Sequence, residues 1–267
     1  MTVAIFPNME RSGTAELVSE ITKTLASVGI ESLVSDSADS AELYEKCDVI
    51  ITIGGDGTLI KHAKAAALYA KPCLGINTGR LGFLASLEKD QIALLKKLAT
   101  GEYFVEDRMM LSVKLVSNEN TIWQGVALND AVISSGIVAK ITDLSLNVSG
   151  DEISYLSDGL IISSPTGSTA YAMSAGGPIV DHTLRCIAVT PICSHSLTAR
   201  PILTHESSTM TISLRDSSRT NAYLTVDGER CGELDFNSKI IISASSFDAK
   251  LINISHNTIY KTISKKF

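Results

Sequence analysis

One carboxylate, Asp56, lies inside a run of three glycines, Gly54, Gly55 and Gly57, directly after the apolar stretch Val49-Ile50-Ile51-Thr52-Ile53. Glycines let backbone N–H groups close on an anion, and a helix starting there adds its positive end, so such a turn can cradle a polyphosphate. Phosphate oxygens repel a carboxylate. Asp56 therefore points to work on the phosphate, either taking a proton from an attacking hydroxyl or touching a metal ion. The competing reading is a tight strand-to-helix turn with Asp56 as the helix cap. A second polar loop, Asn77-Thr78-Gly79-Arg80, follows the apolar run 73–76. Neither loop matches GxGxxG or GxxxxGK[ST], so neither the common dinucleotide fingerprint nor a Walker site is indicated.

The elements that position these loops are legible from periodicity. Residues 2–6, 30–34, 48–53 and 73–76 read as short apolar strands. Leu17, Ile21, Leu25 and Val28 recur at helical spacing before Gly29, and residues 41–47, 58–70 and 91–99 complete a strand–helix alternation. Such alternation builds a parallel sheet covered on both faces, with ligands beyond the carboxyl ends of the strands. After the polar stretch 101–108 the period changes. Leu111, Val113 and Leu115, then Leu144, Leu146 and Val148, then Met210, Ile212 and Leu214, alternate as half-buried antiparallel strands do. Residues 223–226 followed by Asp227-Gly228 read as a hairpin, and 168–175 as a helix closed by Gly176-Gly177-Pro178. The pattern predicts an α/β amino-terminal part with a parallel sheet, a domain boundary within 101–108 and antiparallel strands after it.

Composition narrows the partners. A chain of 267 residues, 45% hydrophobic, can bury a sizeable core, and its net charge of −6 and pI near 5.4 argue against nucleic acid or an anionic membrane. The five cysteines form no CxxC pair, so neither a zinc site nor a disulfide framework is indicated. No apolar stretch would span a bilayer, and residues 1–12 lack the features of a signal peptide; a cytoplasmic location is expected.

Four segments together resemble the NAD kinase family: Gly54-Gly55-Asp56-Gly57, residues 77–84 (Asn77-Thr78-Gly79-Arg80-Leu81-Gly82-Phe83-Leu84), Leu128-Asn129-Asp130, and residues 164–171 (Ser164-Pro165-Thr166-Gly167-Ser168-Thr169-Ala170-Tyr171). Asp158-Gly159 and Gly176-Gly177-Pro178 extend the likeness. The first loop alone is shared with diacylglycerol-type lipid kinases. A lipid kinase, or a catalytically silent dinucleotide-binding module, is therefore the alternative reading. The resemblance implies an α/β fold with a Rossmann-like amino-terminal domain and a β-rich carboxy-terminal domain: 1–107 for the phosphate donor and the GGDG loop, 108–240 for NAD, and a closing segment 241–267 that packs back on the first domain. It implies transfer of the terminal phosphoryl group of ATP or polyphosphate to the 2′-hydroxyl of the adenosine ribose of NAD, giving NADP. It implies Asp56 as catalytic base, metal contact or both, with Gly55, Gly57 and Thr58 at the phosphates. Asn77 would meet ribose or phosphate, Arg80 a phosphate, and Phe83 would wall the adenine. Asn129 would lie near adenine and Asp130 near ribose hydroxyls, where many relatives carry Glu. Thr166, Thr169, Ala170, Tyr171 and Ser174 would line the dinucleotide, a helix starting at Ser168 would add its dipole, and Asp158 would approach the nicotinamide end from the same or a neighbouring subunit. A magnesium or other divalent ion would be held mainly by nucleotide phosphates, with no protein metal cage. Assembly as a homodimer or homotetramer is also implied. Two departures stand out: Leu156 where many relatives have a basic residue, which bears on the choice between NAD and NADH, and Ser194 where many have proline. His195, Arg200 and Pro201 fit a pattern read as structural.

Overall fold

The computed structural model describes residues 1–35, 41–79, 82–136, 141–215 and 222–266. Along the chain come β1 (Thr2–Pro7), α1 (Thr14–Ala26), β2 (Glu31–Val34), α2 (Ala41–Lys46), β3 (Val49–Gly54), α3 (Asp56–Ala67), β4 (Cys73–Asn77), β5 (Leu87–Glu88), α4 (Lys97–Thr100) and β6 (Phe104–Arg108). Then follow β7 (Leu111–Ser117), β8 (Asn120–Ala127), β9 (Asp130–Ser135), β10 (Thr142–Val148), β11 (Asp151–Ser157), β12 (Gly159–Ser163), α5 (Tyr171–Ser174), β13 (Cys186–Ile192), β14 (Ile202–His205), β15 (Met210–Leu214), β16 (Ala222–Val226), β17 (Glu229–Leu234) and β18 (Ser238–Ala244). The chain closes with β19 (Ala249–Asn253) and α6 (Ile259–Lys266). It divides into two compact units, Met1–Asp107 with Ala249–Phe267, and Arg108–Asp248.

In the first unit the sheet runs β2-β1-β3-β4-β19-β6, with β5 on β4. The β1–β2, β1–β3, β3–β4 and β4–β19 pairings are parallel. Every residue of β3 and β4 is buried, as sheet strands covered on both faces must be. Leu17, Ile21 and Leu25 of α1 pack into the same core as Val3, Ile5, Ile51 and Ile53. Segment 249–257 joins this unit through Lys250 Nζ to Asp107 (3.0 Å), Asn253 Nδ2 to Glu106 (2.7 Å) and Ile254 N–H to Ser86 Oγ (3.2 Å).

The second unit is antiparallel. Its sheets run β11-β10-β15-β18-β7-β8 and β14-β13-β12-β9-β16-β17, and side chains from both share one core that includes Leu111, Val113, Leu115, Ile133, Leu144, Leu160, Val189 and Leu224. Alternate residues of β7, β10, β15 and β16 are buried. The expected hairpin turn is present, with Asp227 and Gly228 at φ of 47° and 85°, the positive pair that matches the strand twist.

Several boundaries differ from the sequence reading. Helix α3 starts at Asp56 rather than residue 58, because Gly55 takes the extended cap conformation and its carbonyl accepts from the N–H groups of Thr58 and Leu59. The helix expected over 91–99 is a 3₁₀ segment, Lys89–Lys96, followed by the single turn α4. Its buried Ile92, Leu95 and Leu98 recur every third residue, which is the 3₁₀ period. The polar stretch 101–108 contains strand β6, and the units divide near its end, between Asp107 and Arg108. The helix expected over 168–175 is a 3₁₀ turn, Thr166–Thr169, and then α5, broken at Ala170; no continuous helix carries a dipole from Ser168. Strand β18 runs through residue 241, so 241–248 stay with the second unit. Among the described residues, no helix is long and apolar enough to cross a membrane.

Candidate active site

In the first unit, the carboxyl ends of β3 and β4 bring Gly55, Asp56, Gly57, Thr58, Asn77 and Phe83 into neighbouring loops. Helix α3 is fixed by Leu59, Ala63, Ala66 and Ala67, which bury one face against the sheet. Asp56 is its first residue, where the positive end of the helix favours a carboxylate. Its Oδ2 accepts the Phe83 N–H at 3.0 Å. Its Oδ1 is buried and has no hydrogen-bond partner among the described residues. A buried carboxylate oxygen without a partner is costly.

Gly82 makes this geometry possible. A Cβ there would lie 2.0 Å from Asp56 Oδ1. Gly82→Ala must therefore push the carboxylate aside, and because the obstacle is the tip of a side chain, folding should survive. The expected result is a turnover loss of about tenfold to a hundredfold. The melting temperature should fall by only a few degrees. Paired steady-state kinetics and thermal melts check it, and unchanged turnover would show that the position of Asp56 does not matter.

Asn77 is buried, and its amide closes its own loop, accepting from Gly79 N–H at 3.1 Å and donating to the Gly79 carbonyl at 3.4 Å. The half-buried ring of Phe83 has Lys266 Nζ 3.8 Å from its centroid. Arg80 lies outside the described residues. A cavity of about 580 Å³ opens beside the first turns of α3, lined among others by Asn8, Gly57, Thr58, Lys61 and His62. Burial pushes the His62 imidazole down to about 4, so it is neutral at physiological pH, with Tyr44 Oη 2.6 Å from its Nδ1.

In the second unit, Asn129, Asp130 and Thr166 converge. Asp227, from the β16–β17 turn, accepts the N–H groups of Leu128 (2.9 Å), Asn129 (2.8 Å) and Asp130 (3.1 Å). Asp227 is thus a positioning residue beyond its turn role. Ser164 N–H donates to the Asn129 carbonyl at 2.9 Å, Ser164 Oγ to the Leu128 carbonyl at 2.5 Å, and Gly167 N–H to Ser164 Oγ at 3.1 Å. A Cβ on Gly167 would lie 2.0 Å from the Asn129 carbonyl, so only glycine permits this approach. Asn129 Oδ1 is buried without a hydrogen-bond partner among the described residues. Asp130 is 5% exposed, and burial, then the nearby Asp227 carboxylate, raise its pKa to about 7. Thr166 is buried, Thr169 and Ala170 are half-buried, and Tyr171 and Ser174 are exposed on α5. Asp158 is not part of this cluster. It precedes β12 whereas Asp130 pairs with Ser163 at the other end, roughly 16 Å away at the usual rise per residue. His195 is exposed and its backbone N–H bonds to the Leu156 carbonyl, while Arg200 donates to the carbonyls of Leu197 and Ala199, so both brace a loop.

Residues 35–103 match the ATP-NAD kinase N-terminal domain and residues 128–254 the ATP-NAD kinase C-terminal domain. An NAD kinase of Natranaerobius thermophilus is 34% identical over 99% of this chain and 97% of its own length. The chain belongs to the NAD kinase family. An NAD kinase of Geobacter sulfurreducens is 40% identical over 82% of this chain and 78% of its own. A crystal structure of an NAD kinase from Archaeoglobus fulgidus in complex with ATP has a TM-score of 0.78 and 28% identity, covering 94% of this chain and 93% of that one. Yeast NADH kinase, crystallised with NADH, shares the fold at a TM-score of 0.85 and 24% identity, over 99% of this chain and 85% of that one. The Rossmann-like first unit and β-rich second unit are the architecture of NAD kinases.

Proposed function

We propose that this chain transfers the terminal phosphoryl group of ATP, or of polyphosphate, to the 2′-hydroxyl of the adenosine ribose of NAD, giving NADP. The observation that carries the reading is the Asp56 carboxylate, with one oxygen held by the Phe83 N–H and the other buried and unpartnered. As the 2′-oxygen bonds to the terminal phosphorus and the bond to the leaving phosphate breaks, the hydroxyl proton passes to Asp56 Oδ1. The transition state for such transfer is loose, so positioning and charge neutralisation supply most of the rate. Backbone N–H groups of Gly55 and Gly57, with the Thr58 hydroxyl, favour the donor's phosphates at the start of α3.

Asn129 suits the adenine of NAD, and Asp130 suits ribose hydroxyls other than the 2′-hydroxyl whose proton goes to Asp56. The side-chain Oδ1 of Asn129 is an acceptor in need of a donor, which an exocyclic amine supplies. Ionised Asp130 can accept from both hydroxyls of a ribose. Thr166, Thr169, Ala170, Tyr171 and Ser174 are the remaining contacts, with Tyr171 laid along the dinucleotide.

Among the described residues no cluster of three or more His, Cys, Asp or Glu side chains forms a metal cage. Asp56 Oδ1 is the donor this unit offers a divalent ion, which suits magnesium carried mainly by the phosphates. When bound, magnesium neutralises charge on the donor's phosphates. By family resemblance the protein also forms a homodimer or homotetramer in the cytoplasm, and light scattering tests the assembly.

The deciding experiment incubates the purified chain with NAD, magnesium and either ATP or polyphosphate, read by an NADP-specific coupled assay. NADP is expected with at least one donor. Its absence with both would overturn the assignment.

A further inference from the structure

The loop between β1 and α1 carries a cation that no motif singles out. Its backbone is pinned to the sheet's carboxyl edge, with Asn8 N–H on the Ile53 carbonyl at 2.8 Å and Arg11 N–H on the Asn8 carbonyl at 3.3 Å. Because β1 neighbours β3 and β3 neighbours β4, a long side chain from this loop can cross the ends of all three strands. Arg11 does so. Its Nη2 lies 3.1 Å from where a Cβ on Gly55 would sit, and its Nη1 lies 2.8 Å from the same point on Gly79. Nη1 also donates to Thr78 Oγ1 at 3.3 Å. The guanidinium thus fills the space that side chains at Gly55 and Gly79 would take.

Its electrostatic setting is unusual. Unpaired backbone N–H groups and the dipole at the start of α3 make this edge positive, the Asp56 carboxylate offsets part of that, and a guanidinium here gains from a further anion. Among the described residues Arg11 has no carboxylate within ion-pair distance, and Thr78 is the single side chain it bonds. Its remaining N–H donors are splayed over two glycine-rich loops, a geometry suited to bidentate phosphate recognition.

We propose that Arg11 is a binding residue that clamps the donor's phosphates between the Gly54–Gly57 and Asn77–Gly79 loops. The proposal rests on the reading of the first unit as the phosphate-donor site. Arg11 takes no proton. It binds the donor's charge and, by lying across both loops, orients the phosphate chain for Asp56.

Arg11→Met keeps the apolar stem and removes the charge. It is expected to raise KM for ATP about tenfold or more and to lower kcat several-fold through misplacement of the phosphate chain, while KM for NAD stays within about threefold of the parent. Arg11→Lys should recover part of the loss, since it restores the charge without the fork. Calorimetry with tripolyphosphate supplies a readout independent of turnover: binding should weaken in Arg11→Met at an unchanged melting temperature. Unchanged KM for ATP and unchanged tripolyphosphate binding would overturn the clamp. So would parallel losses for ATP and NAD with a lowered melting temperature, which mark Arg11 as a structural strut. If the parent binds tripolyphosphate but forms no NADP, the kinase reading fails, and the calorimetric arm still decides the role of Arg11.

Discussion

Asp56→Asn is expected to lower kcat about a hundredfold to ten-thousandfold, the range over which a positioned general base contributes, while NAD binding measured by calorimetry changes little. An amide oxygen can still accept the Phe83 N–H, so the loop 82–83 should hold its place. The substitution removes a favourable charge at the start of α3, a loss of about 0.3–1 kcal/mol, and the protein should remain folded. It also removes repulsion toward the donor's phosphates, so KM for ATP should not rise. A magnesium titration separates the two roles open to this carboxylate. If Asp56 acts as base, kcat stays low at saturating magnesium; if its main task is to hold the ion, excess magnesium restores much of the rate. Unchanged turnover would remove Asp56 from the chemistry altogether. Gly82→Ala gives a graded companion, because it displaces the same carboxylate without changing its identity.

Local pattern made much of this protein legible. The β3 strand, its three glycines and the start of α3 are adjacent in sequence, so their geometry follows from propensity and turn chemistry. Strict alternation revealed β7, β10 and β15, because each buries one face against a shared core. The pieces that sequence did not reveal depend on contacts across long stretches of chain. Gly82 stands within a recognised motif, yet its tie to Asp56 appears only when β4 brings its loop beside α3. Asp227 reads as a turn residue because Asp-Gly favours positive φ; that its carboxylate also gathers three N–H groups from 128–130 requires β16 to lie beside β9. Arg11 has no spacing signature at all. The shorter helices failed for a different reason: in 166–174 hydroxyls compete for the backbone, with Ser168 Oγ bonded to the Pro165 carbonyl at 2.6 Å and accepting the Val180 N–H at 2.9 Å.

Asp130→Asn should cost affinity and add stability. Asp130 keeps its proton up to about pH 7 in the folded chain, because burial and the Asp227 carboxylate both oppose its charge. In the unfolded chain the same group ionises near its ordinary value of 3.8. Between these limits the native state holds the extra proton, so the contribution of this group to stability is complete below the lower value and is lost as pH rises through 7. Above pH 7 the buried charge then costs on the order of 4 kcal/mol, which a neutral amide avoids. The Asn variant without ligand should therefore melt a few degrees above the parent at pH 8, and the gap should close toward pH 5. Function runs the other way. Ionised Asp130 can accept two ribose hydroxyls, whereas the amide offers one acceptor, so KM for NAD is expected to rise about tenfold to a hundredfold, the worth of a hydrogen bond to a charged group. In the parent the affinity for NAD should improve as pH rises through 7, since binding favours the ionised form, and the variant should lose that dependence. Melting curves at pH 5 and 8 and NAD titrations across the same range test both halves. A pH-independent gap in melting temperature would show that the buried carboxylate does not titrate as its surroundings require.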